Sequence, residues 1–364
     1  MKAGIIGCGN ICASYLKNGR AFEHLQITKC TDRHPERAQA KADEFGIQAV
    51  PLDDLFTDPD IDIILNLTTP KSHTDIELRA LENGKHVYSE KPLGLDLASG
   101  LKVMETAKKK GLHVCCAPDT FMGGGHQFGR MLLDDGMIGR VVAGNAFMLN
   151  HGHEHWHPAP GFYYQQGGGP LFDMGPYYIT ALINLLGPVK RVVGMSTRSS
   201  DTRIGRGVNA GKRFPVEIDT HITAILEFAC GAVINLTTSF DVWQHSDLYY
   251  IELYGTQGAL HFPDPNKFTG DVSLCQAGIT NGWVIKENRI FIYNDNMRCI
   301  GLADMATGIE TGRPYRCSGE LACHVLDVMC GITRAAEEHT CVEMTTTCEK
   351  PAPMGRDLRY GQLD

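Results

Sequence analysis

The chain has 364 residues, 43% of them hydrophobic and 21% charged, with a formal net charge of −8. That balance belongs to a globular protein long enough to bury a core of its own, and its length leads us to expect two domains. The acidic surplus and the lack of a long basic run argue against nucleic acid or an anionic membrane as partner, and no apolar run approaches the length of a membrane span.

Strand-like and helix-like segments alternate from the start. The apolar run 3–6 reads as a strand entering the turn Gly7-Cys8-Gly9-Asn10-Ile11-Cys12, and 10–22 as the helix that follows. A second strand spans 25–31 and stops at Asp32. Helix 35–45 has Pro35 in its first turn and Gly46 as its stop. The continuous β-rich run 61–67 has the signature of a strand buried on both faces. Helix 72–82 closes at Asn83-Gly84, strand 86–89 ends at Glu90-Lys91-Pro92, and helix 97–110 closes at Gly111 before strand 112–117. This alternation predicts an α/β doubly wound parallel sheet of the Rossmann type.

The pattern changes near Pro118. Gly123-Gly124-Gly125 interrupts the chain, and one helix runs on to about residue 134. Strand-like runs then dominate, at 141–149, 189–197, 220–228, 232–239, 248–254 and 260–262, with helices at 172–186 and 320–338. The boundary falls at 118–123. Residues 1–122 form one domain, and residues 123–364 form an α+β domain on a largely antiparallel sheet.

The N-terminal residues lack the charged and apolar regions of a secretory signal, which leads to a cytoplasmic expectation. Thirteen cysteines, an odd number without a C-x-x-C pair, read as buried thiols of a reducing cytosol; zinc ligands and disulfides are the alternatives.

In the turn after the first strand, Gly7 permits the tight bend. Gly9 lets a pyrophosphate approach the backbone, and the helix start at Asn10 and Ile11 offers amide donors and a positive dipole end. The third position of the pattern normally holds Gly or Ala, and Cys12 departs from it. Asp32, at the next strand end, is suited to the ribose hydroxyls and favours NAD over NADP. Arg33 beside it weakens that preference, and a turn or cap role for Asp32 stays open. Thr68-Thr69-Pro70 and His73 follow the buried strand at the edge where open α/β sheets bind ligands. Ser72 reads as a helix N-cap there, and both roles are compatible.

Together with Gly167-Gly168-Gly169-Pro170-Leu171-Phe172-Asp173-Met174-Gly175, these residues and Glu90-Lys91-Pro92 resemble the Gfo/Idh/MocA family, named for glucose–fructose oxidoreductase and inositol dehydrogenase. The resemblance runs from residue 1 to beyond Gly258. It implies a Rossmann domain, then a substrate-binding domain whose open sheet often mediates oligomerisation. It also implies hydride transfer between NAD(P) and a sugar, cyclitol or related hydroxyl compound.

By the same resemblance Lys91 lies beside the nicotinamide and the reacting hydroxyl, with Glu90 and Pro92 fixing its turn. Burial would lower the pKa of Lys91 and suit it to proton relay. Asp173 matches the family's aspartate, but the family histidine four residues later is Tyr177 here, a poor unaided base. That departure leaves the proton acceptor open between His157 and Tyr177, whose pKa Lys91 would have to lower and whose alternative role is binding substrate; Asp173 is expected to orient substrate hydroxyls.

His157 ends the segment His151-Gly152-His153-Glu154-His155-Trp156-His157. In an extended strand, alternation puts its four histidines on one face. A metal site there is the alternative to sugar binding by Trp156 and His157, and no metal is expected. Trp243 and His245 offer an apolar face and a polar edge to a sugar, or pack in the sheet. Asp119 approaches the substrate or caps the glycine-rich turn. The expected whole is a cytoplasmic, homo-oligomeric, NAD-dependent oxidoreductase. It acts on a sugar or glycoside hydroxyl, narrowed to C3 and a 3-keto product, and the resemblance allows tightly held, recycled cofactor. An inositol dehydrogenase, a silent NAD(P)-binding regulator and a metal-binding module are the rivals.

Overall fold

The computed structural model describes residues 1–243 and 247–364. In the first part of the chain β1 (Lys2–Ile6), α1 (Cys12–Gly19), β2 (Gln26–Thr31), α2 (Pro35–Phe45), β3 (Gln48–Ala49), α3 (Leu52–Thr57), β4 (Ile63–Asn66), α4 (Pro70–Glu82), β5 (His86–Ser89), α5 (Leu97–Lys110) and β6 (Val114–Cys116) follow one another. The six strands pair in parallel in the order β3-β2-β1-β4-β5-β6. The order reverses between β1 and β4, and the crevice at such a reversal is where open α/β sheets bind ligands. All four residues of β4 are buried, which is why Ile63, Ile64 and Leu65 run apolar without alternation before the hydrogen-bonded Asn66.

Local signals set the helix ends. Pro35 opens α2, and Gly46 closes it with φ of 67°. Asp96 caps α5 by accepting from the Ser99 amide. The expected N-cap at Ser72 is corrected: α4 starts at Pro70 with Thr69 flanking it, and the Ser72 amide donates to the Thr69 carbonyl at 2.8 Å.

The second part contains α6 (Gly124–Asp134), β7 (Val141–Leu149), α7 (Gly169–Leu186), β8 (Val189–Thr197), β9 (Thr202–Ile204), β10 (Arg213–Pro215), β11 (His221–Phe228), β12 (Val233–Ser239), β13 (Ile251–Gly255), β14 (Gly258–Phe262), β15 (Val272–Gln276), β16 (Val284–Lys286), α8 (Ile300–Thr311), α9 (Gly319–Glu338) and β17 (Val342–Glu343). Nine strands form one sheet in the order β16-β15-β14-β13-β7-β12-β11-β8-β17. Among the described residues of this sheet only β7 and β12 pair in parallel. Helices α7 and α9 cover one face.

The chain then returns to the first sheet. The Cys116 amide donates to the Cys317 carbonyl at 3.1 Å, so the segment before α9 continues the sheet at β6. Helix α8 packs on α1 and β6, and α9 on α5 and β6. Leu326 of α9 sits against Gly100 of α5, where a Cβ would lie 2.8 Å from it.

Candidate active site

The turn between β1 and α1 is built as its glycines require. Gly7 has φ of 106°, and a Cβ there would lie 2.7 Å from the Leu67 carbonyl oxygen, so no side chain fits. A Cβ on Gly9 would meet no atom within 4 Å, which leaves its backbone open to an approaching group. No side chain caps the start of α1 at Ile11, so amides near Asn10 and Ile11 are free to receive an anion. The Cys8 amide donates to Asp32 Oδ2 and the His34 amide to Asp32 Oδ1, each at 2.8 Å. Asp32 thereby ties the turn to the end of β2. Cys12 is fully buried, its thiol within hydrogen-bond reach of Cys8, so the departure from Gly or Ala is absorbed inside α1. Arg33 is exposed beside the site. These features fit a dinucleotide: an uncapped helix start for the pyrophosphate and a carboxylate for the ribose.

The neighbouring strand ends hold each other. Thr68 donates through its amide and hydroxyl to Asn66 Oδ1, and the Asn66 carbonyl accepts the Glu90 amide at 2.8 Å. His73 is fully buried, Nδ1 2.8 Å from the Pro92 carbonyl and Nε2 3.0 Å from that of Thr68. Burial lowers its pKa, so the neutral ring has one N–H to donate to one of these carbonyls, while its other nitrogen faces the second turn. His73 therefore braces the site rather than facing a cofactor. Glu90 is likewise engaged within the protein, accepting from the Tyr15 hydroxyl and the Lys91 amide.

Lys91 crosses from the first sheet to the first turns of α7. Its Nζ donates to the backbone oxygen of Asp173 at 2.6 Å and to Oδ1 at 2.7 Å. Both side chains are largely buried. Burial alone would depress the ammonium, but Asp173 outweighs it and the Lys91 pKa goes up. Burial works to raise Asp173, yet Lys91 and then His153 hold it well below the usual carboxylate range. The expected lowering of the Lys91 pKa is thus corrected: the lysine is a standing cation. Tyr177 lies one turn on, its ring centroid 5.2 Å from Lys91 Nζ. Burial pushes its hydroxyl up, against the pull of Lys91 and Arg298.

The histidine segment is not extended. Gly152 has φ of 76°, and the amides of Trp156 and His157 both turn back to the His153 carbonyl. The four histidines therefore separate. His151 stacks on Trp243 at 3.7 Å, His155 is exposed, and His157 turns Nδ1 to the Ala159 amide at 3.1 Å. His153 alone reaches the pair, its Nε2 2.9 Å from Asp173 Oδ2. Among the described residues no group of three or more His, Cys, Asp or Glu side chains is arranged to hold a metal ion.

Residues 1–117 match the family model described as the oxidoreductase family with NAD-binding Rossmann fold, and residues 126–261 match the GFO/IDH/MocA C-terminal domain. The chain belongs to the Gfo/Idh/MocA family. It is an oxidoreductase, and NAD is its cofactor. Myo-inositol 2-dehydrogenase of Thermotoga maritima is 24% identical over 88% of this chain and 91% of its own. D-xylose 1-dehydrogenase (NADP(+)) 2 of Haloferax volcanii is 24% identical over 94% of this chain and 100% of its own. A levoglucosan dehydrogenase solved with NADH and L-sorbose superposes with a TM-score of 0.82 at 20% identity, over 95% of this chain and 99% of that one. An aldose–aldose oxidoreductase from Caulobacter crescentus superposes at 0.78 and 22% identity, over 94% and 99%.

Within this family framework several expectations change. Asp119 is buried, and its Oδ2 accepts from the Cys299 and Gly301 amides at 3.0 and 3.1 Å. It caps α8 instead of touching substrate or the glycine-rich turn, and burial lifts its pKa to about 6. Among the described residues no hydrogen bond or ion pair joins His157 to Asp173; its ring meets Trp156, Phe162 and Tyr163. Trp156 and Trp243 are exposed, with the Arg206 guanidinium 4.5 Å above the Trp243 ring. His245 lies outside the described residues. Sequence reasoning missed His153 as Asp173's partner, Tyr163 stacked edge-on against it at 4.0 Å, and Arg298 beside Tyr177. The odd-numbered histidine repeat was a signal for the first; nothing local marked the others.

Proposed function

We propose that the protein oxidises a ring hydroxyl of a sugar, glycoside or cyclitol. The observation that carries the reading is the buried Lys91–Asp173 pair beside the dinucleotide turn. An ammonium has three N–H donors, and Asp173 takes two of them. The third is available to a substrate oxygen, where a fixed positive charge stabilises the alkoxide character that develops as the carbon is oxidised. NAD, when bound, supplies the hydride acceptor. Asp173 orients the lysine, and Asp32 and the Gly7–Ile11 turn hold the dinucleotide.

The exposed rings of Trp156, Phe162 and Trp243 support a glycoside or free hexose; the narrower form of the proposal has C3 as the reacting carbon and a 3-keto sugar as product. Similarity to the Thermotoga enzyme favours a second reading, a cyclitol. Tightly held, recycled cofactor accords with the likeness to the aldose–aldose oxidoreductase. We place the protein in the cytosol on its many cysteines without a C-x-x-C pair, which suit a reducing compartment. Among the described residues no helix is long and apolar enough to cross a membrane. The uncovered sheet face, with Val193, Met195, Ile225 and Val233 exposed, supports a homo-oligomer.

The test is mass spectrometry of free hexoses, aryl glucosides and inositols incubated with the protein and NAD, with Lys91→Ala as control. A product two hydrogens lighter that needs Lys91 supports the reading. No product from any class, with NAD binding demonstrated, refutes it and leaves a silent NAD-binding regulator.

A further inference from the structure

Forming a ketone from a hydroxyl releases a proton, and the lysine cannot take it, because Asp173 keeps it charged. Asp173 is held ionised by the same pairing, Tyr177 is pushed upward by burial, and Tyr163 is pushed up to about 12. His157 spends Nδ1 on a backbone amide and does not reach the pair. One imidazole does reach it.

We infer that His153 is the proton acceptor of the reaction, standing in for the helix residue that Tyr177 replaces. The inference rests on the reading above. Because Asp173 is a carboxylate, the 2.9 Å contact makes His153 Nε2 the donor and Oδ2 the acceptor. Nδ1 then carries the bare lone pair, and it has no hydrogen-bond partner among the described residues. One carboxylate thus serves two neighbours, Lys91 through Oδ1 and His153 through Oδ2. A carboxylate behind an imidazole fixes its tautomer and stabilises the imidazolium once formed. In the step, the ring carbon gives its hydrogen as hydride to NAD⁺, the hydroxyl gives its proton to Nδ1, and the C–O bond becomes C=O.

The imidazole is held for that role. Gly152, whose Cβ would lie 2.1 Å from the Tyr164 hydroxyl, lets the loop turn inward. The ring is set against Tyr163 at 4.0 Å, Phe240 at 5.0 Å and Trp156 at 5.3 Å. The charged and titratable groups about it are Asp173 on α7, Lys91 behind it, Tyr163, and His157 of its own turn; Glu154 next in sequence is taken by Arg203 at 3.3 Å.

Two measurements test this. Wild type and His153→Asn are compared on whichever carbohydrate or cyclitol the wild type oxidises, with NAD affinity followed by fluorescence. Expected is a loss of about 10²–10⁴ in kcat, an unchanged NAD affinity, and disappearance of the acid limb of kcat/KM. Independently, side-chain ¹⁵N NMR of the wild type should find His153 as the Nε2–H tautomer, with Nδ1 bare. A variant that keeps its rate and its acid limb, or a wild-type ring with the proton on Nδ1, overturns the assignment. Should the wild type oxidise nothing, the functional reading fails, and the tautomer still decides the status of His153. It also decides should the variant not fold.

Discussion

Replacing Lys91 with methionine keeps the side chain but for its last atom and deletes its charge, leaving the Asp173 carboxylate buried with His153 as its remaining side-chain partner among the described residues. The two side chains are 14% and 16% exposed. Breaking a pair this buried costs about 3–5 kcal/mol; the retained His153 contact points to the lower end, still a large share of the ~5–15 kcal/mol that holds a typical protein folded. The pH dependence follows from the directions of the shifts. Asp173 is depressed, so its contribution is complete above the ordinary carboxylate range and is lost as pH falls through its folded value. Lys91 is raised, so its contribution is complete below the ordinary lysine value and is lost as pH rises through its folded value. The pair is therefore fully stabilising near neutrality. In Lys91→Met the stranded carboxylate is relieved in acid by its own protonation, so the gap from wild type narrows.

Urea unfolding at about pH 7.5 and about pH 5 measures this gap. Turnover should fall by about 10²–10³ through loss of one donor at the reacting oxygen, while NAD binding at the Gly7–Ile11 turn persists. An unchanged midpoint at neutral pH, or a loss of equal size at both values, would refute the account of the pair as a buried, mutually dependent unit.

Other expectations follow from single residues. Gly7→Ala forces a Cβ toward the Leu67 carbonyl in a left-handed backbone, and should weaken NAD binding and lower the melting temperature together, read by titration and calorimetry. Glu77 is fully buried, and burial raises its pKa to about 8 against the opposing pull of the nearby Ser89 hydroxyl. A raised carboxyl loses stability as pH climbs from its unfolded value to its folded one, so Glu77→Gln should be more stable than wild type above about pH 8 and shed that slope, by denaturation across pH. Tyr177→Phe and His157→Ala should both keep the acid limb of the pH–rate profile; its loss in either would return the proton acceptor to that residue.

The parallel sheet was legible because β4 and its neighbours are buried on both faces and closed by glycine or proline, so burial and punctuation agree. The site half on that sheet was legible for the same reason: a strand end fixes where Lys91 and Asp32 emerge. What escaped lies where contacts cross between segments. Helix α8 is buried on nearly all sides and carries no apolar period, and β9, β10 and β16 are three-residue strands. Alternation assigned the four histidines one face, but the positive φ of Gly152 and the helical turn after it override that spacing. Cys230, expected among buried thiols, is exposed in the tight turn between β11 and β12.

The return of the chain to β6 bears on where this protein can be divided. A cut after residue 122 would strand the Cys116 amide, bare Gly100 and the α5 surface beneath Leu326, and take the Asn296 and Arg298 carbonyls from the Asn18 side chain. The N-terminal ammonium would also lose Glu310. The nucleotide-holding half is thus completed by the last third of the chain. Exchanging that half between relatives means exchanging residues 296–338 with it, and grafts that swap only the contiguous N-terminal stretch import a sheet whose edge and one helix face fit a different partner.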